Sequence, residues 1–146
     1  MKSRTRARGL ALQVLYEVDM ANHPPVEVFQ SRLEEMPLSE ELAEFARRIV
    51  FGVLPRIPDL DLMIAKYAPE WPLEQVAPID RNILRLAFWE FAVQRETPLK
   101  VAINEAVELA KQFGSDSAPR FINGVLGSLA EHKDDIRQHV EKLESK

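Results

Sequence analysis

The first residues of the chain carry a concentration of basic side chains that could bind phosphate. Lys2, Arg4, Arg6 and Arg8 alternate with uncharged residues, and no acid lies among them. A basic block of this kind neutralises the phosphates of a nucleic acid and releases their counterions. Tyr16 follows two helical turns after Arg8, about 80° away around a helix axis. This spacing indicates a groove in which arginine binds phosphate and an aromatic ring stacks on a base.

The segment between Phe113 and Phe121 is a second place where an anion could bind. It is a short loop that enters a predicted helix, and free N–H groups at a helix start can receive a phosphate. Lys111 and Arg120 would strengthen such a site, whereas Asp116 would oppose it. Both candidate sites have a structural alternative. The basic end can be a solvated terminus beside a tyrosine at the core rim, and the loop can be an ordinary helix–helix connection.

A buried acid is predicted at Glu90, which falls on the apolar side of its helix at nearly the same projected angle as Ile83. A carboxylate in that position must find a partner or become protonated. Local spacing places no second acid, histidine or nucleophile beside it. A structural hydrogen-bond acceptor is therefore favoured over a catalytic acid. The neighbouring Trp89 either packs in the core or contributes to a surface for a partner.

Other residue patterns with the spacing of a functional site are better explained by a structural role. His132, Asp135 and His139 have the helical spacing of metal ligands, but their segment is highly charged, so a solvated polar face and no metal are expected. Gly124 and Gly127 lie inside a helical pattern, where close helix packing is the favoured explanation. The sequence has no cysteine and no nucleotide-binding or hydrolase signature. It predicts neither a cofactor nor an enzyme.

The elements that carry these residues are predicted to be helices. The 146 residues include 10 prolines and only five glycines, and apolar residues recur at intervals of three and four. An apolar stripe from Leu10 to Val18 belongs to a first helix that stops near Asn22. Further helices are predicted at about 26–36, 40–50, 59–67, 80–95, 98–113, 118–130 and 133–146.

The predicted helix ends depend on capping residues. Ser39 is predicted to cap the third helix, and Thr97 with Pro98 is predicted to begin the sixth. Gly114 is expected to end that helix in the left-handed conformation. Ser115, Asp116 and Ser117 are candidate caps for the helix that begins at 118.

The length predicts one domain with its own core. A proline-rich connector at 69–78 suggests subdomains at about 1–68 and 78–132, followed at 133–146 by a charged helical tail that is expected to fray. The formal net charge of −4 excludes a uniformly basic nucleic-acid binder, so any such site must be local. No apolar stretch approaches the roughly 20 residues that span a bilayer. The chain is predicted to be cytoplasmic.

Five segments of the sequence form a recognisable set. They are R-T-R-A-R at 4–8, A-L-Q-V-L-Y at 11–16, D-R-N-I-L-R-L-A at 80–87, P-L-K-V-A-I-N-E-A-V-E-L-A-K-Q-F-G at 98–114 and F-I-N-G-V-L at 121–126. Together they resemble the NusB family of bacterial transcription antitermination factors. The likeness extends over about residues 4–130 and is most specific between Val101 and Leu126.

The resemblance implies an all-α fold of about seven helices arranged as two perpendicular bundles, with no catalytic activity. It also implies a partner, NusE, which is a small-subunit ribosomal protein. The pair would bind boxA RNA and join other Nus factors on RNA polymerase. That assembly would suppress premature termination and support ribosomal RNA synthesis.

The resemblance further implies roles for individual residues. The positions expected to contact RNA are Arg4, Arg6, Arg8, Tyr16, Ser117, Arg120 and Phe121, with Arg8 the firmest of them. The positions expected to contact NusE are Asp80, Arg81 and Arg85. Three departures from the family pattern bear on RNA affinity: Thr5 replaces a basic residue, Ser117 stands where an acid is frequent, and Pro119 stiffens the loop.

Two other functions remain open at this point. One is the NusB-like N-terminal domain of a ribosomal RNA cytosine methyltransferase, which would need a following cofactor-binding domain that these residues do not contain. The other is a helical scaffold that forms homodimers through the face expected to bind RNA. The RNA-binding prediction itself requires that the basic end lie beside the loop that precedes Phe121.

Overall fold

The computed structural model describes residues 3–145, and this range contains no strand. The prediction of an all-helical fold is confirmed. A π-helical segment, Trp89–Gln94, continues the fifth helix, and short 3₁₀ turns lie at Leu54–Arg56 and Leu73–Gln75. The α-helices of the described range are α1 (Ser3–Ala21), α2 (Pro25–Glu35), α3 (Glu40–Val53), α4 (Ile57–Tyr67), α5 (Pro78–Phe88), α6 (Leu99–Phe113), α7 (Ala118–Ala130) and α8 (Lys133–Glu144).

Capping and backbone chemistry explain several of the helix ends. The Ser39 hydroxyl accepts the N–H of Leu42 at 3.3 Å, as predicted for the N-cap of α3. Asn22 follows α1 with a φ of 56°, a left-handed conformation that asparagine tolerates better than most residues. Prolines occupy the first turn of α2, α4, α5 and α7, where their missing N–H groups cost no helical hydrogen bond.

Three predicted helix ends are wrong in detail. Thr97 does not cap α6, because its hydroxyl donates to the Glu90 carboxylate at 2.8 Å and Pro98 holds the N-cap position. Gly114 is extended, with a φ of −95°, and is not left-handed. A Cβ at Gly114 would lie 2.5 Å from the Ala118 Cβ, so close approach of two helix ends is what requires glycine. Ser117 stands at the N-cap of α7 without bonding a backbone N–H.

Helix α1 lies at the centre of the molecule. It packs against α2 and α3 on one side and against α5 and α6 on the other, while α6 also packs on α5 and α7. The hydrophobic core is continuous from Leu10 of α1 to Ile49 of α3, Leu86 of α5 and Leu109 of α6. The basic end of the chain is therefore attached to both halves of the fold. The subdomain division at 69–78 stays a prediction.

Helix α8 packs against the π-helical segment through Ile136 and Val140, which are both buried. Arg95, at a φ of 66°, is fixed by α8, since it bonds the Glu141 carboxylate at 2.9 Å and the carbonyl of Arg137 at 2.8 Å. The expectation that this tail frays is wrong for residues 133–144. No helix within the described range has the length and apolar character to cross a bilayer.

Candidate nucleic-acid interface

One face of α1 lies along α6 from the basic end of the chain to the loop after Phe113. The Thr5 hydroxyl, in the first turn of α1, donates to Glu105 at the middle of α6. A Cβ at Gly9 would lie 3.4 Å from the Phe113 ring, so α1 and α6 are in close contact there. Tyr16 lines a groove together with Phe113. The two helices thus run in the same direction, and the first turns of α1 lie beside the half of α6 that leads into the loop.

Arg8 is a structural residue and does not reach the surface. Only 3% of its side chain is exposed, and its Nε and Nη2 donate to the two Glu90 oxygens at 2.7 and 2.9 Å. Its Nη1 also donates to Glu105 at 3.2 Å. In this conformation the guanidinium has no free edge for a phosphate, so the structure corrects the expectation that Arg8 is the firmest RNA contact. The interpretation of Glu90 as a structural acceptor is confirmed.

Thr5 has the same inward orientation. It is 7% exposed, and its hydroxyl lies 3.0 Å from both oxygens of Glu105. The expectation that one phosphate contact is absent at this position stays a prediction. In this chain position 5 faces the interior, and threonine supplies a hydrogen bond there.

Three other arginines are exposed and lack a carboxylate partner within residues 3–145. They are Arg4, Arg6 and Arg120, and none of them makes a hydrogen bond to the described residues. The Arg4 guanidinium lies over the Phe45 ring at 4.6 Å, which leaves its outer edge open. Lys2, the other member of the basic block, lies outside the described residues. The exposed arginines without a carboxylate partner in the described range are thus found at the start of α1 and the start of α7.

Tyr16 lies at the surface, with 37% of the residue exposed. It lines a groove of about 480 Å³ with Phe113 and Ile79, so two aromatic rings border one concave surface. Arg32 closes one side of this groove and is held by Gln13 at 2.9 Å and by Glu17 at 3.0 Å. Phe113 is not among the residues predicted to contact RNA, although its position immediately before the loop could have indicated a surface role.

Phe121 does not share the groove of Tyr16. It packs edge-on against Trp71, with ring centroids 6.4 Å apart, and lines a separate groove of about 350 Å³ that also contains Asp80. Ser117 is exposed beside it, with its hydroxyl 3.3 Å from that of Ser115. The structure therefore places the two predicted base contacts in different grooves, on either side of the start of α5.

Among the residues predicted to contact the partner protein, Asp80 has the side chain with the fewest hydrogen bonds. It is 7% exposed, and its Oδ1 has no hydrogen-bond partner among the described residues. Burial raises the pKa of this carboxyl above its ordinary value. An unpaired buried acceptor carries a desolvation cost, and a hydrogen-bond donor from another molecule would offset that cost.

Arg81 and Arg85 are held by acids of other helices. Arg85 is 5% exposed and donates to Asp61 at 2.7 and 2.8 Å and to Asp19 at 3.2 Å, so it is not free for a partner and that expectation is corrected. Arg81 is partly exposed and donates to Asp19 at 2.8 Å. Burial opposes ionisation of Asp19, but the bonds from Arg81 and Asn82 outweigh it and lower its pKa. This network joins α1, α4 and α5.

The remaining candidates have structural explanations. Trp89 is 6% exposed and its ring packs closely against Gly52, so it belongs to the core. His132 and His139 pack against the Tyr67 ring, at centroid distances of 5.5 and 6.5 Å, and no group of potential metal ligands occurs within residues 3–145. Gly124 and Gly127 are exposed, and a Cβ at Gly127 would meet nothing within 4 Å. The expected close packing at these two glycines is wrong.

Comparison with known proteins agrees with this arrangement of helices. The sequence model of the NusB family matches residues 5–131. The chain belongs to the NusB family. Its relative in Roseiflexus castenholzii, transcription antitermination protein NusB, is 50% identical over 128 residues, which cover 86% of this chain and 90% of that protein. The resemblance predicted from the sequence is thereby confirmed.

Solved NusB structures have the same fold. NusB of T. maritima is 28% identical, with a TM-score of 0.77 over 94% of this chain and 92% of that chain. A second structure contains antitermination factors NusB and NusE in complex with dsRNA; it is 26% identical, with a TM-score of 0.79 over 95% of this chain and 98% of that chain. NusB proteins are transcription antitermination factors and not enzymes, which confirms the prediction that the chain is not an enzyme.

Proposed function

We propose that this NusB-family chain binds RNA as a pair with NusE, and that its target is the boxA element of nascent ribosomal RNA. The observation that supports this proposal is that some arginines are buried in ion pairs while others are exposed. Arg8 and Arg85 are buried in ion pairs, whereas Arg4, Arg6 and Arg120 are exposed without a carboxylate. Free cations kept apart from the protein's own acids are suited to phosphates.

In the proposed mechanism, one set of residues binds the phosphates and another set contacts the bases. Arg4, Arg6 and Arg120 bind phosphates, and Ser117 with the free N–H groups at the start of α7 extends that contact. Tyr16 stacks on one base beside Phe113, and Phe121 contacts another across the start of α5. Arg8 positions α1 through Glu90 and Glu105 and contacts no RNA itself.

NusE is proposed to bind at the start of α5. Asp80 would accept a hydrogen bond from a basic or amide side chain of NusE, and the partly exposed Arg81 lies beside it. The similarity to a NusB that was solved together with NusE and dsRNA supports this pairing. Because NusE would add cationic surface to a chain of net charge −4, the pair would bind RNA more tightly than either protein.

The wider assembly follows from this role. We propose that the pair acts in the cytoplasm with other Nus factors on RNA polymerase and suppresses premature termination. Residues 1–132, with subdomains at 1–68 and 78–132, would carry the function, and 133–146 would stabilise the fold. The free chain is proposed to form homodimers through the RNA-binding face, so that NusE and RNA would compete with self-association.

Size-exclusion chromatography of this chain with its NusE, with and without a boxA oligonucleotide, tests the proposal. A one-to-one protein pair that shifts to a ternary complex is the expected result. An Arg6→Ala variant should form the pair and bind RNA more weakly. A chain that elutes unchanged with both partners would refute the proposal.

A further inference from the structure

A groove of about 640 Å³ lies on α6, between the start of α1 and α7. It is distinct from the grooves of Tyr16 and Phe121, and none of the roles above uses it. Thr5 contributes from α1 and Asn123 from α7. The residues that α6 contributes are Val101, Asn104, Glu105, Val107, Glu108 and Lys111.

The charges in this groove are already compensated. Glu105 receives hydrogen bonds from Thr5 and Arg8, and Glu108 pairs with Lys111 at 3.2 Å. The groove therefore has no excess of cations with which to attract phosphate. Its carboxylate oxygens can still accept hydrogen bonds from uncharged donors.

Asn104 and Asn123 are the uncommitted polar groups of the groove. Both are exposed, and neither side chain makes a hydrogen bond within residues 3–145. By contrast, Asn82 donates to both Asp19 and the Pro78 carbonyl. A carboxamide offers a donor and an acceptor side by side, which matches the edge of a nucleobase.

The walls of the groove leave room for a flat ring. Val101 is 43% exposed, and Val107 lines the same surface. Gly124 and Gly127 follow Asn123 on α7, and a Cβ at Gly127 would meet nothing within 4 Å. The face of α7 that carries Asn123 is therefore open one turn later, at Gly127.

Free arginines flank the groove. Thr5 lies between Arg4 and Arg6 in α1, and Asn123 follows Arg120 by one helical turn in α7. A strand whose phosphates bind these arginines would pass over the groove with its bases free to turn inward. Phosphate contacts would position the strand, and contacts inside the groove would carry sequence information.

We propose that this groove receives an unstacked base of the bound RNA, and that Asn104 and Asn123 read the edge of a base with an exocyclic amino group. Acceptors are abundant here because Glu105 and Glu108 add carboxylate oxygens to the two amide oxygens. Adenine and cytosine offer an amino group to these acceptors, whereas uracil offers only its N3–H, between two carbonyl oxygens that the carboxylates would repel. This inference rests on the proposed RNA-binding function and adds base selectivity to it.

Binding of single-stranded oligoadenylate, oligocytidylate and oligouridylate of roughly 12 nucleotides to the chain with its NusE tests the proposal. The unaltered pair should bind the adenine and cytosine strands more tightly than the uracil strand. Asn104→Ala and Asn123→Ala should each weaken binding of the preferred strands by roughly tenfold and leave the uracil strand unaffected. The salt dependence should not change, since no phosphate contact is removed. Gln30→Ala, an exposed amide on α2, is the matched control and should bind as the unaltered chain does.

The outcomes separate this inference from the function on which it rests. Asparagine variants that keep full affinity and the same base preference would overturn base reading while leaving RNA binding intact. Variants that lose NusE and not RNA would show that the groove is a protein contact, which also overturns it. A pair that binds neither these strands nor boxA would refute the proposed function itself. Shifts of the Asn104 and Asn123 side-chain amide signals on addition of oligoadenylate, absent with oligouridylate, would support the assignment.

Discussion

Individual arginines of this protein have different roles although the residue type is the same. Arg8 lies within one short basic run with Arg4 and Arg6, yet only Arg8 is buried and bonded to two acids. Helical phase separates Arg6 from Arg8, because two residues turn α1 by about 200°. Arg4 is only about 40° from Arg8 around the axis, and both lie over the Phe45 ring, but Arg4 is one turn nearer the exposed start of α1. Arg8 lies beside Glu90 of the π-helical segment and Glu105 of α6.

Loss of Arg8 is expected to destabilise the fold. Arg8→Ala would leave Glu90 buried without its bidentate partner, and breaking a buried pair on one side costs about 3–5 kcal/mol. Denaturant unfolding followed by circular dichroism measures this change. Arg6→Ala is the control and should unfold as the unaltered chain does. An Arg8→Ala protein of normal stability with weakened RNA binding would show that Arg8 contacts RNA directly.

Asp80 is expected to limit stability in the free protein. Because burial raises its pKa, the folded state binds a proton more readily than the unfolded chain, so ionisation of Asp80 lowers stability as the pH rises through and above its ordinary pKa. Asp80→Asn should therefore raise the free energy of unfolding at pH 7. The gain should disappear near pH 3, where both states are protonated.

The same substitution tests the role of Asp80 in partner binding. If NusE donates to this carboxylate, Asp80→Asn will weaken the pair in calorimetry without RNA, even though the variant is more stable. Asp116→Asn, an exposed acid of the neighbouring loop, is the control. Unchanged affinity for NusE would remove Asp80 from the proposed interface.

At the scale of elements, the fold is joined by ion pairs between helices as well as by its core. Asp19 of α1 bonds Arg81 and Arg85 of α5, and Asp61 of α4 completes the network. Helix α8 lies beyond the family match and is attached to the π-helical segment by Ile136. These contacts surround the proposed RNA-binding surface without belonging to it.

Removal of α8 is expected to affect stability and not RNA binding. A chain of residues 1–132 loses the buried side chains of Ile136 and Val140, and each is worth about 1.5–3 kcal/mol when fully buried. The melting temperature should fall, while the salt dependence of RNA binding with NusE should stay the same. A shortened chain with a reduced salt slope would instead place α8 in contact with RNA.

At the scale of the whole molecule, the charge is distributed asymmetrically. The net charge is −4, yet Arg4, Arg6 and Arg120 are exposed and have no acidic partner among residues 3–145. Long-range repulsion from the acidic remainder should keep RNA affinity low in the absence of NusE. Specific binding then depends on local contacts and on the partner.

The salt dependence of RNA binding tests this asymmetric distribution of charge. Replacing Arg4, Arg6 and Arg120 together by alanine should reduce the slope of log affinity against log salt by about 2 for single-stranded RNA. Lys133→Ala, on the exposed side of α8, should leave the slope unchanged. Filter binding over a series of salt concentrations measures both. An unchanged slope in the triple variant would show that phosphates bind elsewhere.

Helix positions could be predicted because they depend on local patterns. The apolar period and the prolines predicted the end of α1 and both ends of α2 to α8 to within a few residues, and Ser39 was recognised as a cap because its hydrogen bond is made three residues away. The family resemblance was equally local, since it rests on contiguous segments such as 98–114. Glu90 was predicted to be buried because helical phase alone places it among apolar residues.

The tertiary structure decided which of the predicted side chains are free. Arg8 and Glu105 are 97 residues apart in the sequence, and Arg85 and Asp61 are 24 apart, so no local pattern pairs them. Those pairings remove Arg8 and Arg85 from the surface and leave Arg4, Arg6 and Arg120. Long-range packing determines burial, and burial determines whether a charged group binds its own protein or another molecule.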